Sequence, residues 1–329
     1  AIWQEVLGTA RVGITDNLFE LGGHSLKTVR LSDAIHKEFH VEVSLVELYR
    51  KPTVKEIARL IQNSNSHSGF RDNHLTCLKK SPNPENNLFF VHDGSGEVNG
   101  YLELVDRLSH DCNYWGIKAG IFDQLNPESV KIELLAEQYI ESIKKVQASG
   151  PYNLAGWSNG GTIAFEIARQ LERAKERVGC LIMIDSMPPD RSCRQPANIM
   201  NIDAEIALIK SKVLKAENTD DASKLFHIKR IRTIAQACLD YVPGCRINTR
   251  ICYIKASESR NIPEQKWNQF CNVPVHTIMM QGDHFSIFET PKVDGLARRF
   301  GELFDSFSSC LSSAACPGRP GGPLSGSQE

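Results

Sequence analysis

Apolar positions follow two rhythms along this chain. Up to about residue 62 they recur at helical spacing: Leu31, Ile35 and Phe39 at i, i+4, i+8, and Val54, Ile57, Ala58 and Ile61 at i, i+3, i+4, i+7. Pro52 stands before Thr53, with Glu56 three residues on, a capping-box pattern in which hydroxyl and carboxylate each satisfy an orphan backbone N–H. The pattern predicts a bundle of about four helices over residues 1–62. Asn63-Ser64-Asn65-Ser66-His67-Ser68-Gly69 then supplies only small polar residues, so residues 63–75 read as a flexible linker spanning roughly 20 Å. A tether that short keeps two domains at about millimolar effective concentration.

Beyond the linker, short apolar runs alternate with helical stretches: Leu88–Val91, Tyr114–Ile117, Tyr152–Ala155, Leu181–Ile184, Ile251–Ile254 and His276–Met279. The alternation predicts an α/β domain over 76–307, a mostly parallel sheet with helices on both faces. From about 188 to 245 the sequence is strand-poor and rich in Lys, Ala and Ile, which fits an inserted helical lid. The segment 308–329, ending in Cys316-Pro317-Gly318-Arg319-Pro320-Gly321-Gly322-Pro323, is low in complexity and expected to be disordered.

Composition narrows the function. The chain has 329 residues, 41% hydrophobic and 23% charged, enough apolar surface for a sizeable core. Its formal charge of -1 gives no overall field to draw nucleic acid or an anionic membrane. The ten cysteines form no CxxC pair and no histidine stands at zinc-finger spacing, which points to reduced thiols, no metal site and a cytoplasmic setting. No run reaches the roughly 18 apolar residues of a membrane span. The start, Ala1-Ile2-Trp3, shows no signal-peptide pattern and fits a piece of a longer polypeptide.

The sharpest motif is Gly156-Trp157-Ser158-Asn159-Gly160-Gly161, entered from Tyr152-Asn153-Leu154-Ala155 and followed by a helical stretch. This is GxSxG in its strand-turn-helix context, where the glycines let a sharp turn expose the Ser158 hydroxyl. A helix starting after Ser158 also aims free N–H groups at a developing oxyanion. In the order this arrangement requires, Asp185 closes the strand Leu181–Ile184, and His284 follows the last strand in Gln281-Gly282-Asp283-His284-Phe285. Asp283 is a rival acid, but an adjacent residue seldom folds back in line with an imidazole, so it reads as a loop residue. The oxyanion donors should be the N–H groups of Asn159 and of Gly94, in the loop His92-Asp93-Gly94-Ser95-Gly96.

Ser25, in Leu21-Gly22-Gly23-His24-Ser25-Leu26-Lys27, opens the helix that carries Leu31 and Ile35; by itself it is a good N-cap. The longer stretch Asp16-Asn17-Leu18-Phe19-Glu20-Leu21-Gly22-Gly23-His24-Ser25-Leu26 resembles the peptidyl-carrier motif of nonribosomal peptide synthetases. In that family the serine matching Ser25 carries covalent 4′-phosphopantetheine. His24 fits peptidyl carriers better than fatty-acid or polyketide carriers, which usually have Asp there.

The resemblance covers about residues 1–307. Gly156-Trp157-Ser158, Ile184-Asp185-Ser186 and Gly282-Asp283-His284-Phe285 are similar to the type I thioesterases of the same systems, and His92-Asp93-Gly94 departs from relatives that often place proline there. It implies an α/β-hydrolase that releases a carrier-bound acyl or peptidyl chain, by hydrolysis or macrocyclisation, in peptide antibiotic biosynthesis. It implies upstream condensation and adenylation domains, a phosphopantetheinyl transferase and a carrier-tethered peptide as partners. The rivals are a polyketide synthase terminus, which His24 disfavours, a degenerate hydrolase kept for docking, and a free-standing esterase with a merely structural N-terminal bundle.

Overall fold

The computed structural model describes residues 1–23, 25–39, 41, 43, 45–66, 74–82, 84, 86–109, 111–119, 130–189, 221–259 and 264–313. The N-terminal unit holds α1 (Ile2–Leu7), α2 (Ser25–Phe39), α3 (Leu45–Arg50) and α4 (Val54–Ser66). They close over one core that includes Trp3, Leu18, Leu31, Ile35, Leu48 and Ile57. Each aliphatic side chain so buried contributes about 1.5–3 kcal/mol. Phe39, the third member of the predicted stripe, is 47% exposed at the end of α2, past this core.

Two local details differ from expectation. At the start of α4 the Glu56 N–H donates to Thr53 Oγ1 (3.3 Å), but the Glu56 carboxylate accepts the Thr53 hydroxyl (2.9 Å) rather than its N–H. Beside it, Asn17 and Thr53 form an isolated antiparallel bridge in which the Leu18 N–H donates to the Pro52 carbonyl at 2.7 Å. The helix also continues through Ser66, inside the predicted linker, since polar residues extend a helix already nucleated at little cost. Residues 67–73 of that linker lie outside the described residues.

The larger unit is a seven-stranded sheet: β1 (Leu75–Lys79), β2 (Asn86–Val91), β3 (Cys112–Ile117), β4 (Tyr152–Trp157), β5 (Val178–Ile184), β6 (Ile251–Ala256) and β7 (His276–Met280), in the order β1-β3-β2-β4-β5-β6-β7. All pairings are parallel except β1 with β3. Every strand read from the sequence is present. β1 is the addition, a half-buried edge strand whose Leu-Thr-Cys-Leu-Lys carries too little apolar character to stand out. The loop that holds Gly94 therefore follows β2, the second strand of the sheet.

Helices α6 (Ile132–Val146), α7 (Asn159–Arg173) and α8 (Asp221–Asp240) cover one face of the sheet. Helices α5 (Leu102–Arg107) and α9 (Lys292–Ser313) cover the other. Central strands are accordingly apolar on both sides; all of β4 is buried. The chain leaves β2 toward β3 on one side and reaches β4 on the other, so the sheet's topological switch point lies between β2 and β4, where ligands bind in such folds.

Of the predicted lid, α8 is helical and residues 190–220 lie outside the described residues. The end of the lid is tied to α7 by a buried cluster: Arg169 donates through Nε and Nη2 to Glu166 (2.6 Å each), and the Tyr241 hydroxyl donates to the same carboxylate. Helix α9 runs through Ser313, past the expected domain end at 307, anchored upstream by buried Phe300, Leu303 and Phe304. Residues 314–329 lie outside the described residues. Among the described residues no helix is long and apolar enough to cross a membrane.

Candidate active site

Ser158 sits where β4 turns into α7. Its backbone has φ 56° and ψ −127°, a region that costs a non-glycine residue about 1–3 kcal/mol. The turn is held by the Ser158 N–H, which donates to the Ile184 carbonyl at 3.0 Å. Ser158 occupies the N-cap position of α7, yet its side chain makes no capping hydrogen bond. A serine that merely ended a turn would cap the helix, and this hydroxyl does not.

The flanking glycines are demanded by space. A Cβ on Gly156 would stand 2.2 Å from the Gly160 carbonyl oxygen, one on Gly160 2.4 Å from that of His92, and one on Gly161 2.0 Å from Ser186 Oγ. The same contacts bring the first turn of α7 against the loop after β2. Asn159 is the first residue of α7, where a helix leaves its N–H without an intrahelical acceptor. Gly94 lies in the facing loop, and among the described residues no hydrogen bond engages its N–H.

Asp185 and His284 meet directly. His284 Nδ1 lies 2.7 Å from Asp185 Oδ2, with the carboxylate fully buried and the imidazole 13% exposed. A carboxylate accepts, so Nδ1 carries a proton, and in the neutral ring Nε2 holds the lone pair. The imidazole packs beside the Trp157 ring, centroids 5.1 Å apart, which sets it next to the residue preceding Ser158. Asp283 does not compete as the acid: its Oδ1 accepts the N–H groups of Phe285 (2.9 Å) and Ser286 (3.1 Å) and so shapes the loop.

Sequence reasoning missed the groups that hold these residues. Ser259 Oγ donates to Asp185 Oδ2 at 2.5 Å, and the Ala256 N–H to Oδ1 at 3.2 Å. The available signal was a serine just beyond the strand adjacent to β5. His92 was quoted only as part of a loop. Its Nδ1–H donates to the Asp93 carbonyl (2.7 Å), and its Nε2 accepts from the Tyr139 hydroxyl (2.8 Å). Burial pushes its pKa down to about 4, so a neutral ring braces the loop after β2. Arg230, from α8, ties the same loop to the lid through Glu97 at 2.8 Å.

A serine freed from capping, a histidine fixed by a buried carboxylate and a helix start facing a glycine loop together suit acyl transfer through a covalent ester. Comparison with known proteins agrees. Residues 86–304, well over half of the chain, match the family described as Thioesterase domain. The chain belongs to that thioesterase family. Ahead of the thioesterase, residues 1–61 match the phosphopantetheine attachment site family. The larger unit has the α/β-hydrolase fold, with the carrier unit ahead of it in the chain.

The Malpibaldin synthetase of Mortierella alpina is 35% identical to this thioesterase chain over 56% of it and 3% of the synthetase. A four-domain nonribosomal peptide synthetase in its holo form, bound to AMP and glycine, aligns at a TM-score of 0.65 and 25% identity, covering 92% of this chain and 25% of that one. The surfactin thioesterase domain shares the fold, with a TM-score of 0.56 at 19% identity over 73% of this chain and 99% of that one. The chain spans 3% to 9% of the length of the first curated relatives it matches.

The carrier unit suits the cofactor its family attaches. Ser25 is the first residue of the fifteen-residue α2, whose first turn holds no acidic residue, so the helix start favours an anionic phosphodiester. Gly22, at φ +83°, and Gly23, whose Cβ would lie 2.4 Å from the Leu18 carbonyl, fold the chain tightly into that helix start. His24 lies outside the described residues.

Proposed function

We propose that this chain detaches a finished acyl or peptidyl chain from its carrier by transfer to Ser158, followed by hydrolysis or macrocyclisation, in nonribosomal peptide biosynthesis. The observation that carries the reading is the Asp185–His284 hydrogen bond behind a Ser158 hydroxyl that declines to cap its own helix. When bound to Ser25, 4′-phosphopantetheine supplies the thiol on which the acyl chain travels as a thioester.

His284 Nε2 takes the Ser158 proton as Oγ bonds to the thioester carbonyl carbon. The N–H groups of Gly94 and Asn159 donate to the oxygen as it becomes negative. The C–S bond then breaks, and His284 returns the proton to the leaving thiolate. Asp185 holds the imidazole in the useful tautomer and stabilises it while it is charged. Water, or a nucleophile of the acyl chain itself, next gives its proton to His284 and attacks the Ser158 ester; the proton passes back to Oγ. Upstream condensation and adenylation domains deliver the chain, a phosphopantetheinyl transferase primes Ser25, and the setting is the cytoplasm.

The test loads Ser25 with a synthetic peptidyl arm, using a phosphopantetheinyl transferase, and weighs the product. Release of a free acid or of a ring lighter by one water is expected. Ser158→Ala should stay loaded on Ser25 and release nothing; release at the parental rate refutes the assignment.

A further inference from the structure

Tyr101 ends the short turn Asn99–Tyr101 that leads into α5, with its ring fully buried against Phe90 and Phe288. Its hydroxyl bonds twice: it donates to the Val91 carbonyl at 2.7 Å and accepts the Trp157 N–H at 2.7 Å. Both directions are forced, since a carbonyl only accepts and an amide N–H only donates. Burial, reinforced by nearby Asp93, holds the phenol's pKa well above its usual value, so the hydroxyl keeps its proton.

The place of this bridge matters more than its strength. Pairing of β2 with β4 runs from Leu88 with Asn153 to Val91 with Gly156 and ends there. Beyond that point the two strands bond outward: the His92 N–H goes to Ile117 of β3 (2.9 Å) and the Ser158 N–H to Ile184 of β5 (3.0 Å). The Tyr101 hydroxyl thus sits where the strands fork. One prong carries Gly94, the other Ser158 and Asn159. From the opposite side α7 presses on the same carbonyl, since a Cβ at Gly160 would stand 2.6 Å from Val91 O.

We propose that Tyr101 is a positioning residue: its hydroxyl, a one-atom spacer between Val91 and Trp157, sets the width of the fork between β2 and β4. It thereby sets the distance from Ser158 to the oxyanion donor on the loop after β2. The proposal rests on the serine thioesterase reading above. Tyr101 touches no part of the acyl chain; it acts through the two backbones it joins. Removing the hydroxyl leaves the Trp157 N–H and the Val91 carbonyl facing each other across a gap, which either closes or admits water, and both change the fork.

The test is Tyr101→Phe in the full chain, with reactive sites counted by a fluorophosphonate and turnover measured on a soluble peptidyl thioester. A parent chain that takes no phosphonate on Ser158 overturns the serine thioesterase reading itself, and this proposal with it. Given a reactive parent, kcat per titrated site should fall by about 10- to 100-fold in Tyr101→Phe, with KM little changed. An unchanged kcat per site, whether or not fewer sites titrate, means the hydroxyl serves stability alone and overturns the role. Tyr101→p-aminophenylalanine keeps the ring and a donor to Val91 but accepts poorly from Trp157, so its kcat per site should lie between Phe and Tyr. If Tyr101→Phe does not fold, this second variant decides: a lowered kcat at parental KM supports the role, and parental kcat overturns it.

Discussion

Gly160→Ala adds one methyl group at the second residue of α7, and two effects compete. Helix propensity alone favours alanine by about 1 kcal/mol. The added Cβ, however, would lie 2.4 Å from the His92 carbonyl oxygen and 2.6 Å from that of Val91. Both are backbone atoms, so neither can rotate away. Reaching even a tight 3.0 Å contact requires α7 and the end of β2 to separate by about 0.6 Å. Overpacking of that kind costs roughly 1–3 kcal/mol, which outweighs the propensity gain. The same separation pulls the Asn159 N–H away from Gly94, and a displacement near 1 Å at reacting groups costs about 100-fold in rate. We expect kcat to fall by about 30- to 100-fold, or about 2–2.7 kcal/mol of barrier, together with a lower urea midpoint. Thioester turnover and urea unfolding on the same preparation read both. A variant that is more stable and turns over at the parental rate would refute the close approach of α7 to β2.

Three further outcomes follow from named contacts. Ser259→Ala removes a donor to Asp185 Oδ2; a hydrogen bond to a charged group is worth about 2 kcal/mol, so kcat should drop by roughly 10- to 30-fold, checked by steady-state turnover, with Ser259→Thr retaining most of it. Burial lowers the His92 pKa from 6.5 to about 4, so the unfolded chain takes up a proton there before the native one does. That stability is whole above pH 6.5 and lost as pH falls through 4, a loss of roughly 3 kcal/mol. Urea unfolding across that window should show a steeper decline for the parent than for His92→Asn. Arg169→Met strands the buried Glu166 carboxylate and should destabilise by about 3–5 kcal/mol, while kcat per folded molecule stays at the parental value.

What the sequence disclosed, and what it withheld, divide along physical lines. Strands of the sheet interior announced themselves because burial on both faces makes them continuous apolar runs, as in Leu181–Ile184. The edge strand β1 lacks that burial and was not read as a strand. Helix ends were misplaced at Ser66 and Ser313, where polar residues extend a helix already formed. In the site, Ser158, Asp185 and His284 were named from motif and chain order, and the hydrogen bond between Asp185 and His284 is a contact across 99 residues that only the fold supplies. Ser259, Tyr101 and His92 were invisible as functional candidates because they act through other groups. A lone serine after a strand or a tyrosine in a short turn carries no local pattern, and its meaning comes from what the sheet places beside it.

The central claim is a covalent one, so the most direct measurement is a mass. The chain loaded on Ser25 with a peptidyl thioester is quenched in acid within the first turnover and digested. The peptide containing Ser158 should carry the acyl mass, appearing as the loaded Ser25 peptide disappears and before product accumulates. Product accumulating while the Ser158 peptide never gains mass would contradict the account.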